Sequence, residues 1–280
     1  MAGTLLIAIA LAGQVPATDA ADAEAEKAQQ KKWNAYYAKV AADYQVTRGE
    51  DGNRKLDVEP EAVLHWSNPV RGGETNGSVF VWTHEGRAEL VGTIFSHLVR
   101  NKPDQKLVAH EFQSLSPEPL AGQRPGQPGT WSLAGGGVQP RPIPDAPLPA
   151  PSRAGRLTQM RDLAREFSAT TTFGDVEQEL RLLTQPIHRQ KKEAGDILDG
   201  ALFTFVTGTD PELMLVIEAR PPEKGGEAVW HFTAGRFTDL PLKLRHKKVE
   251  LWTHQQGQPI DGRPDPYVAG RYETKPKIME

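Results

Sequence analysis

A chain of 280 residues with 38% hydrophobic and 25% charged residues has an ordinary globular composition, enough for one large domain or two small ones. A formal net charge of -3 gives no overall attraction to nucleic acid or anionic lipid. The absence of cysteine excludes disulfides, thiolate metal sites and a lipid-bearing N-terminal thiol.

Residues 1–23 read as an export signal, with an apolar run at 5–12 (LLIAIALA) and small residues at Ala17, Ala20, Ala21 and Ala23 around the cleavage region, although no Lys or Arg precedes the run. So short a run cannot cross a hydrocarbon core that needs ~20 residues, so removal is expected rather than a transmembrane anchor. The mature chain is expected to start between residues 18 and 24 and to be soluble.

Over 24–44 the residues Trp33, Tyr36, Tyr37, Val40, Ala41 and Tyr44 fall at i, i+3, i+4, i+7, i+8 and i+11, the apolar face of a helix. Strands rich in Val, Ile, Leu, Phe and Trp are expected at 62–66, 78–83, 89–98 and 106–115. Prolines crowd 116–152, and we expect 132–151 to be a semi-rigid linker near polyproline II geometry. A second helix is expected from Arg153, capped by Ser152, with Leu157, Met160, Leu163, Ala164 and Phe167 on one side, stopping before Thr170, Thr171 and Thr172. Strands follow at 179–183, 201–206, 213–219, 228–234 and 243–252, then a Pro- and Gly-containing tail over 255–280 expected to lie loosely.

Two segments resemble each other: GSVFVWTHEGRAELVGTIF from Gly77 and GALFTFVTGTDPELMLVIE from Gly200, each read as a hairpin. The order of landmarks repeats as well. Ser67, Asn68 and Pro69 precede the first as Thr184, Gln185 and Pro186 precede the second, and Pro119 and Trp131 follow as Pro241 and Trp252 do. The expectation is an α+β protein of two tandem repeats, 24–131 and 152–254, each an amphipathic helix followed by an antiparallel sheet of about five strands. The run LMLVIEA is apolar at both alternations, so its strand should be buried on both faces. The segments LHWSNPVRG, GSVFVWTHEGRAEL, HEFQSLSPEPL, LRLLTQPI and LFTFVTGTDPELMLVIEAR together resemble an uncharacterised family of predicted exported planctomycete-type bacterial proteins. That resemblance implies export and carries no activity, cofactor or catalytic residue.

Catalytic patterns are missing. There is no G-x-S-x-G elbow, and Ser67, Ser78, Ser96 and Ser114 lie in or beside strands, where hydroxyls bond locally. His84, His97 and His110 recur every 13 residues without zinc-site spacing and read as isolated surface or rim side chains. Glu89 and Glu212 stand just after equivalent turns, where solvated carboxylates are expected. Gly135, Gly136 and Gly137 are not followed by a phosphate-binding helix. Lys243, Arg245 and Lys247 alternate opposite Leu244, as edge-strand protection or as a strip for an anionic ligand.

These features point to an exported, soluble, non-enzymatic binding or structural module of the cell envelope, with no cofactor and no nucleic-acid partner. The expected partner is an anionic polymer or another envelope protein. The alternative is a hydrolase or metal-dependent enzyme with its site at the seam between the two repeats.

Overall fold

The computed structural model describes residues 17–68, 74–126, 131–133, 138–191, 197–221, 226–256 and 265–279. The apolar run at 5–12 and the Gly135–137 triplet lie outside the described residues. Helix α1 spans Ala17–Asp43 and buries Trp33, Tyr37, Val40 and Ala41, so the aromatic stripe is its inward face. It begins inside the segment read as a signal. Helix α2 spans Arg153–Arg165, and the Ser152 hydroxyl accepts a hydrogen bond from the Gly155 amide at 3.0 Å, the expected cap. No helix among the described residues is long and apolar enough to cross a membrane.

The first half contributes β1 (Gln45–Arg48), β2 (Arg54–Lys55), β3 (Asp57–Val58), β4 (Leu64–Ser67), β5 (Asn76–His84), β6 (Arg87–Val99), β7 (Lys102–Ser114), β8 (Leu120–Gln123) and β9 (Trp131–Leu133). β10 (Arg141–Pro142) lies in the Pro-rich stretch. The second half contributes β11 (Phe167–Phe173), β12 (Val176–Leu182), β13 (His188–Arg189), β14 (Asp199–Thr207), β15 (Asp210–Arg220), β16 (Val229–Arg236), β17 (Leu242–His246), β18 (Val249–His254) and β19 (Tyr267–Pro276).

Three antiparallel sheets result. One is ordered β19-β7-β6-β5-β3 with β4 also on β5; a second is β10-β16-β15-β14-β12-β11-β17-β18 with β13 also on β14; a small third is β2-β1-β8-β9. Helix α1 covers the first sheet through a core containing Trp33, Tyr37, Phe80, Trp82, Ile94 and Phe112. Helix α2 covers the second through Met160, Leu163, Phe203, Phe205, Leu215 and Ile217. The uncovered faces meet each other: Trp66, Val79, Val81, Val91 and Leu115 pack with Leu202, Met214, Val216 and Phe237. This is the seam. β15 is buried on both faces, as its two-sided apolar pattern requires, with Leu213, Leu215 and Ile217 towards α2 and Met214 and Val216 towards the seam.

Several expectations need correction. The supposedly loose tail contains β19, which lies along β7 with Tyr267 opposite Gln113 and Pro276 opposite Gln105. The part of the linker described is tied down: Val138 and Ile143 are buried, Arg141 pairs with Phe232, and the Ile143 amide donates to the Trp230 carbonyl at 2.8 Å. The threonine run that was to end the second helix is the centre of β11, between β12 and β17. Finally, 243–252 is not one strand, because Lys247 and Lys248 turn at φ 47° and 72° and fold β18 back on β17.

The hairpin turns follow their sequence logic. Glu85 and Gly86 have φ 51° and 89°, a left-handed pair that matches the twist of flanking strands. The second turn is tighter than expected: Thr207 pairs with Asp210, so Gly208 and Thr209 alone make it, and a bulge at Phe205/Val206 absorbs the extra length.

Candidate functional site at the seam

A cavity of about 500 Å³ opens where β6, β7 and β19 of one sheet meet the start of β15 and the segment after β16 of the other. Trp66 and Phe95 form an aromatic wall, their ring centroids 5.5 Å apart, and the Trp66 indole donates to the Thr93 hydroxyl at 3.0 Å. Gly77 makes this wall possible, because a Cβ there would sit 2.5 Å from the Phe95 Cβ and 2.8 Å from the Trp66 ring.

The opposite side is polar. Strand parity sends Val108, His110 and Phe112 of β7 towards α1, and so turns Glu111 to the seam, opposite Thr93 and Ala269. Glu111 has its carboxyl pushed up to about 8, first by burial and then by Asp210 and Glu212, while Tyr267 pulls the other way. At neutral pH this side chain is therefore a protonated acid. Asp210 accepts from the Asn68 side-chain amide at 2.8 Å, and the neighbouring Thr209 hydroxyl donates to the Ser67 carbonyl at 2.7 Å, so the β14–β15 turn is pinned to the end of β4. Asp239 pairs with Arg236 at 2.6 Å, and that guanidinium also pairs with Asp265 and lies 4.0 Å from the Tyr267 ring. Arg271 and His97 also line it. Burial, then Arg271 and Lys106, hold His97 below its ordinary value and so favour the neutral imidazole. Such a site can accept hydrogen bonds through Asp210 and Asp239, donate one through Glu111, and stack a flat group on the aromatic wall.

The seam closes on itself elsewhere. Arg87 on β6 donates to Glu218 on β15 at 2.9 Å through Nε and to Glu89 at 3.0 Å, and Arg48 donates to Glu89 at 3.0 Å. Burial works against the Arg87 charge, but Glu218 and then Glu89 outweigh it, and the guanidinium is held above its ordinary value. Gln113 crosses the seam as well, its side-chain oxygen accepting from the Arg236 amide at 3.0 Å over Gly235.

Glu89 and Glu212, expected to be solvated, are 2% and 1% exposed. Their positions beside turns concealed that both strands continue into the seam. The three histidines separate. His110 is fully buried, its Nδ1 2.6 Å from the Tyr44 hydroxyl and its ring stacked on Tyr272 at 4.3 Å; burial, then Arg124, push it down to about 3. It is a neutral core residue, and not the rim side chain expected. His84 stands at a hairpin tip opposite Arg87. Among the described residues no group of three His, Cys, Asp or Glu is placed to hold a metal ion.

Lys243, Arg245 and Lys247 do not form one open strip. β17 lies between β11 and β18, so edge protection does not apply, and Lys247 sits in the turn. Each cation has a carboxylate: Lys243 pairs with Glu177 at 2.6 Å, Arg245 with Glu177 at 3.4 Å and Glu250 at 3.9 Å, and Lys247 with Glu166 at 3.2 Å. Sequence reasoning assigned no role to Arg87, Glu111, Asp210 or Glu218. The signal for Glu111 was its parity, a charged residue on the alternation opposite Val108 and Phe112.

No family model, curated protein or solved structure matches this chain. The reading of the site rests on its own geometry.

Proposed function

We propose that this chain is an exported, soluble binding module of the cell envelope, built from two tandem helix-plus-sheet repeats and taking a small hydrogen-bonding ligand at their seam. The observation that carries the reading is the seam cavity, with a stacking wall of Trp66 and Phe95 on one side and Glu111, Asp210 and Asp239 on the other. Export rests on the N-terminal signal and on the resemblance to exported planctomycete-type proteins, and N-terminal sequencing of the secreted chain would give a start between residues 18 and 24.

The duplication draws support from backbone hydrogen bonds that recur in both halves. Leu115 donates to the Glu89 carbonyl as Phe237 does to that of Glu212, both at 2.8 Å; Val63 donates to Val79 as Ile187 does to Leu202, both at 2.8 Å. Gly49 donates to Pro119 at 2.9 Å as Thr172 does to Pro241 at 3.1 Å. The outer strands are reciprocal too. β10 follows the first repeat and pairs with β16 of the second, whereas β19 follows the second and pairs with β7 of the first. Such an exchange is what a two-fold arrangement of copies produces.

Ligand binding is tested by titrating the full mature chain with panels of sugars and amines while following the indole ¹H–¹⁵N resonance of Trp66, assigned through Trp66→Phe. A ligand of this cavity shifts that resonance, and Glu111→Gln weakens the response. A Trp66 signal unmoved by the whole panel would remove the proposal.

One observation favours a second reading, a hydrolase: a carboxyl protonated at neutral pH facing a cavity beside Asp210 is what a general acid requires. Turnover of nitrophenyl glycosides that falls above pH about 8 and vanishes in Glu111→Gln would establish it. Absence of turnover across such substrates would leave the binding module.

A further inference from the structure

A second opening, of about 340 Å³, lies at the other face of the first sheet, between the early turns of α1 and the far end of β7. Glu26, Gln30 and Trp33 of α1 roof it, at helical spacing. Lys106 of β7 lines it, and among the described residues this is the one lysine that is buried, at 3% exposure. Its ammonium faces the Trp33 ring, 5.3 Å from the centroid, and has no hydrogen-bond or ion-pair partner among the described residues. Of the nearby carboxylates, Glu74 is bonded to Lys277 and Glu26 is exposed at the rim. Burial holds Lys106 below the ordinary lysine value, with Glu74 opposing and Lys277 assisting.

The second donor is Asn76, 8% exposed. Its side-chain oxygen already accepts from the Tyr37 hydroxyl at 2.9 Å and from the Gln30 amide at 3.3 Å, and its amide nitrogen makes no hydrogen bond among the described residues. The corresponding place in the second half explains what is missing. Asp199, which precedes Gly200 as Asn76 precedes Gly77, is fully buried and takes Arg156 at 3.0 Å and Arg189 at 2.7 Å. There the protein supplies both the cations and the carboxylate. In the first half an amide stands where the carboxylate does, and a lysine from another strand, β7, lines the opening with it.

We propose that this opening binds a small organic carboxylate, held by the Lys106 ammonium and the Asn76 side-chain amide. An ammonium out of water is costly unless an anion completes it, and a carboxylate that enters this opening can accept from both the ammonium and the amide nitrogen that line it. The site is separate from the seam cavity and does not depend on a ligand there.

The test uses the full mature chain with lysines labelled with ¹³C at Cε, and benzoate as probe. Saturable movement of the Lys106 Cε resonance, and binding weakened at least about tenfold, or about 1.4 kcal/mol, in Lys106→Met are expected. Lys106→Gln should behave alike, so that a folding defect in one variant, read by circular dichroism, does not decide the matter. An unmoved Lys106 resonance, or benzoate bound equally well by both variants, would overturn the proposal. A stronger response to inorganic phosphate than to benzoate would overturn the carboxylate class.

Discussion

At one end of the seam, Arg87, Glu89, Glu218 and Arg48 bury charge in a network where each carboxylate meets a guanidinium. At the other end, Glu111, Asp210 and Glu212 gather acids, and the Arg236 guanidinium is engaged by Asp239 and Asp265. Glu89 and Glu212, each skipped by its hairpin ladder at a bulge, belong to these two ends. One pair of sheets has thus buried the same residue type twice, once in a network compensated by guanidinium groups and once beside a carboxyl that burial and its acidic neighbours push up to about 8. The compensated end ties the two sheets together, and the end that gathers the acids is where the cavity opens.

The largest effect should come from breaking the compensated end. Arg87→Met leaves Glu218 buried at 3% exposure without its cross-seam partner. Removing one member of a buried pair costs about 3–5 kcal/mol, and denaturant unfolding should show a loss of that size. A loss below about 1 kcal/mol would mean that water reaches the network and that the two ends do not differ as described.

The other end should answer to pH. Glu111 titrates at about 8 in the folded chain against an ordinary value of 4.5, so between those values the folded state holds a proton that the unfolded state has released. Stability therefore falls as pH rises through that window, by at most ~1.4 kcal/mol per pH unit. Above the window the loss levels off, since neither state then carries the proton. Glu111→Gln should flatten this slope in urea melts taken across the window. An unchanged slope would assign it elsewhere.

The two glycines that open the matched hairpins sharpen the comparison between halves. Gly77→Ala drives a methyl into the Phe95 and Trp66 side chains, whereas a Cβ at Gly200 meets its nearest atom, the Glu218 Cγ, at 3.1 Å. The first substitution should cost about 1–3 kcal/mol, as overpacking does, and unseat the aromatic wall. The second should cost clearly less, because the long Glu218 side chain can give way. Equal losses in thermal melts would contradict the packing described for Gly77.

The helices and the long central strands were legible because each carries a full period of apolar residues: Trp33 to Tyr44 for α1, and both alternations of LMLVIEA for β15. β11 was not, since Thr170 and Thr171 read as a helix terminator when the helix stripe is followed without a break into Phe167, a residue that in fact starts a strand. β19 hid for a different reason. Pro266 and Gly270 suggested a loose tail, and its side chains alternate in and out of solvent with little hydrophobic weight, as an outer strand can. The site was illegible for a third reason: Glu111, Asp210 and Asp239 lie far apart in the chain, and only the pairing of β7 with β19 and the packing of β15 against that sheet bring them together.

The smallest effect is expected at Lys243, Arg245 and Lys247. Lys243 and Glu177 are 40% and 42% exposed as side chains, and Lys247 and Glu166 are 47% and 35%. Exposed pairs of this kind contribute about 0–1 kcal/mol, and Lys243→Ser should move the melting behaviour little. Because Glu177, Glu250 and Glu166 answer the three cations locally, the patch presents little net field to an anionic polymer. Replacing all three cations by Ser should therefore leave retention on a heparin-like matrix nearly unchanged. A clear loss of retention would show that a polymer outcompetes those carboxylates, and would make this face, rather than the seam, the principal binding surface.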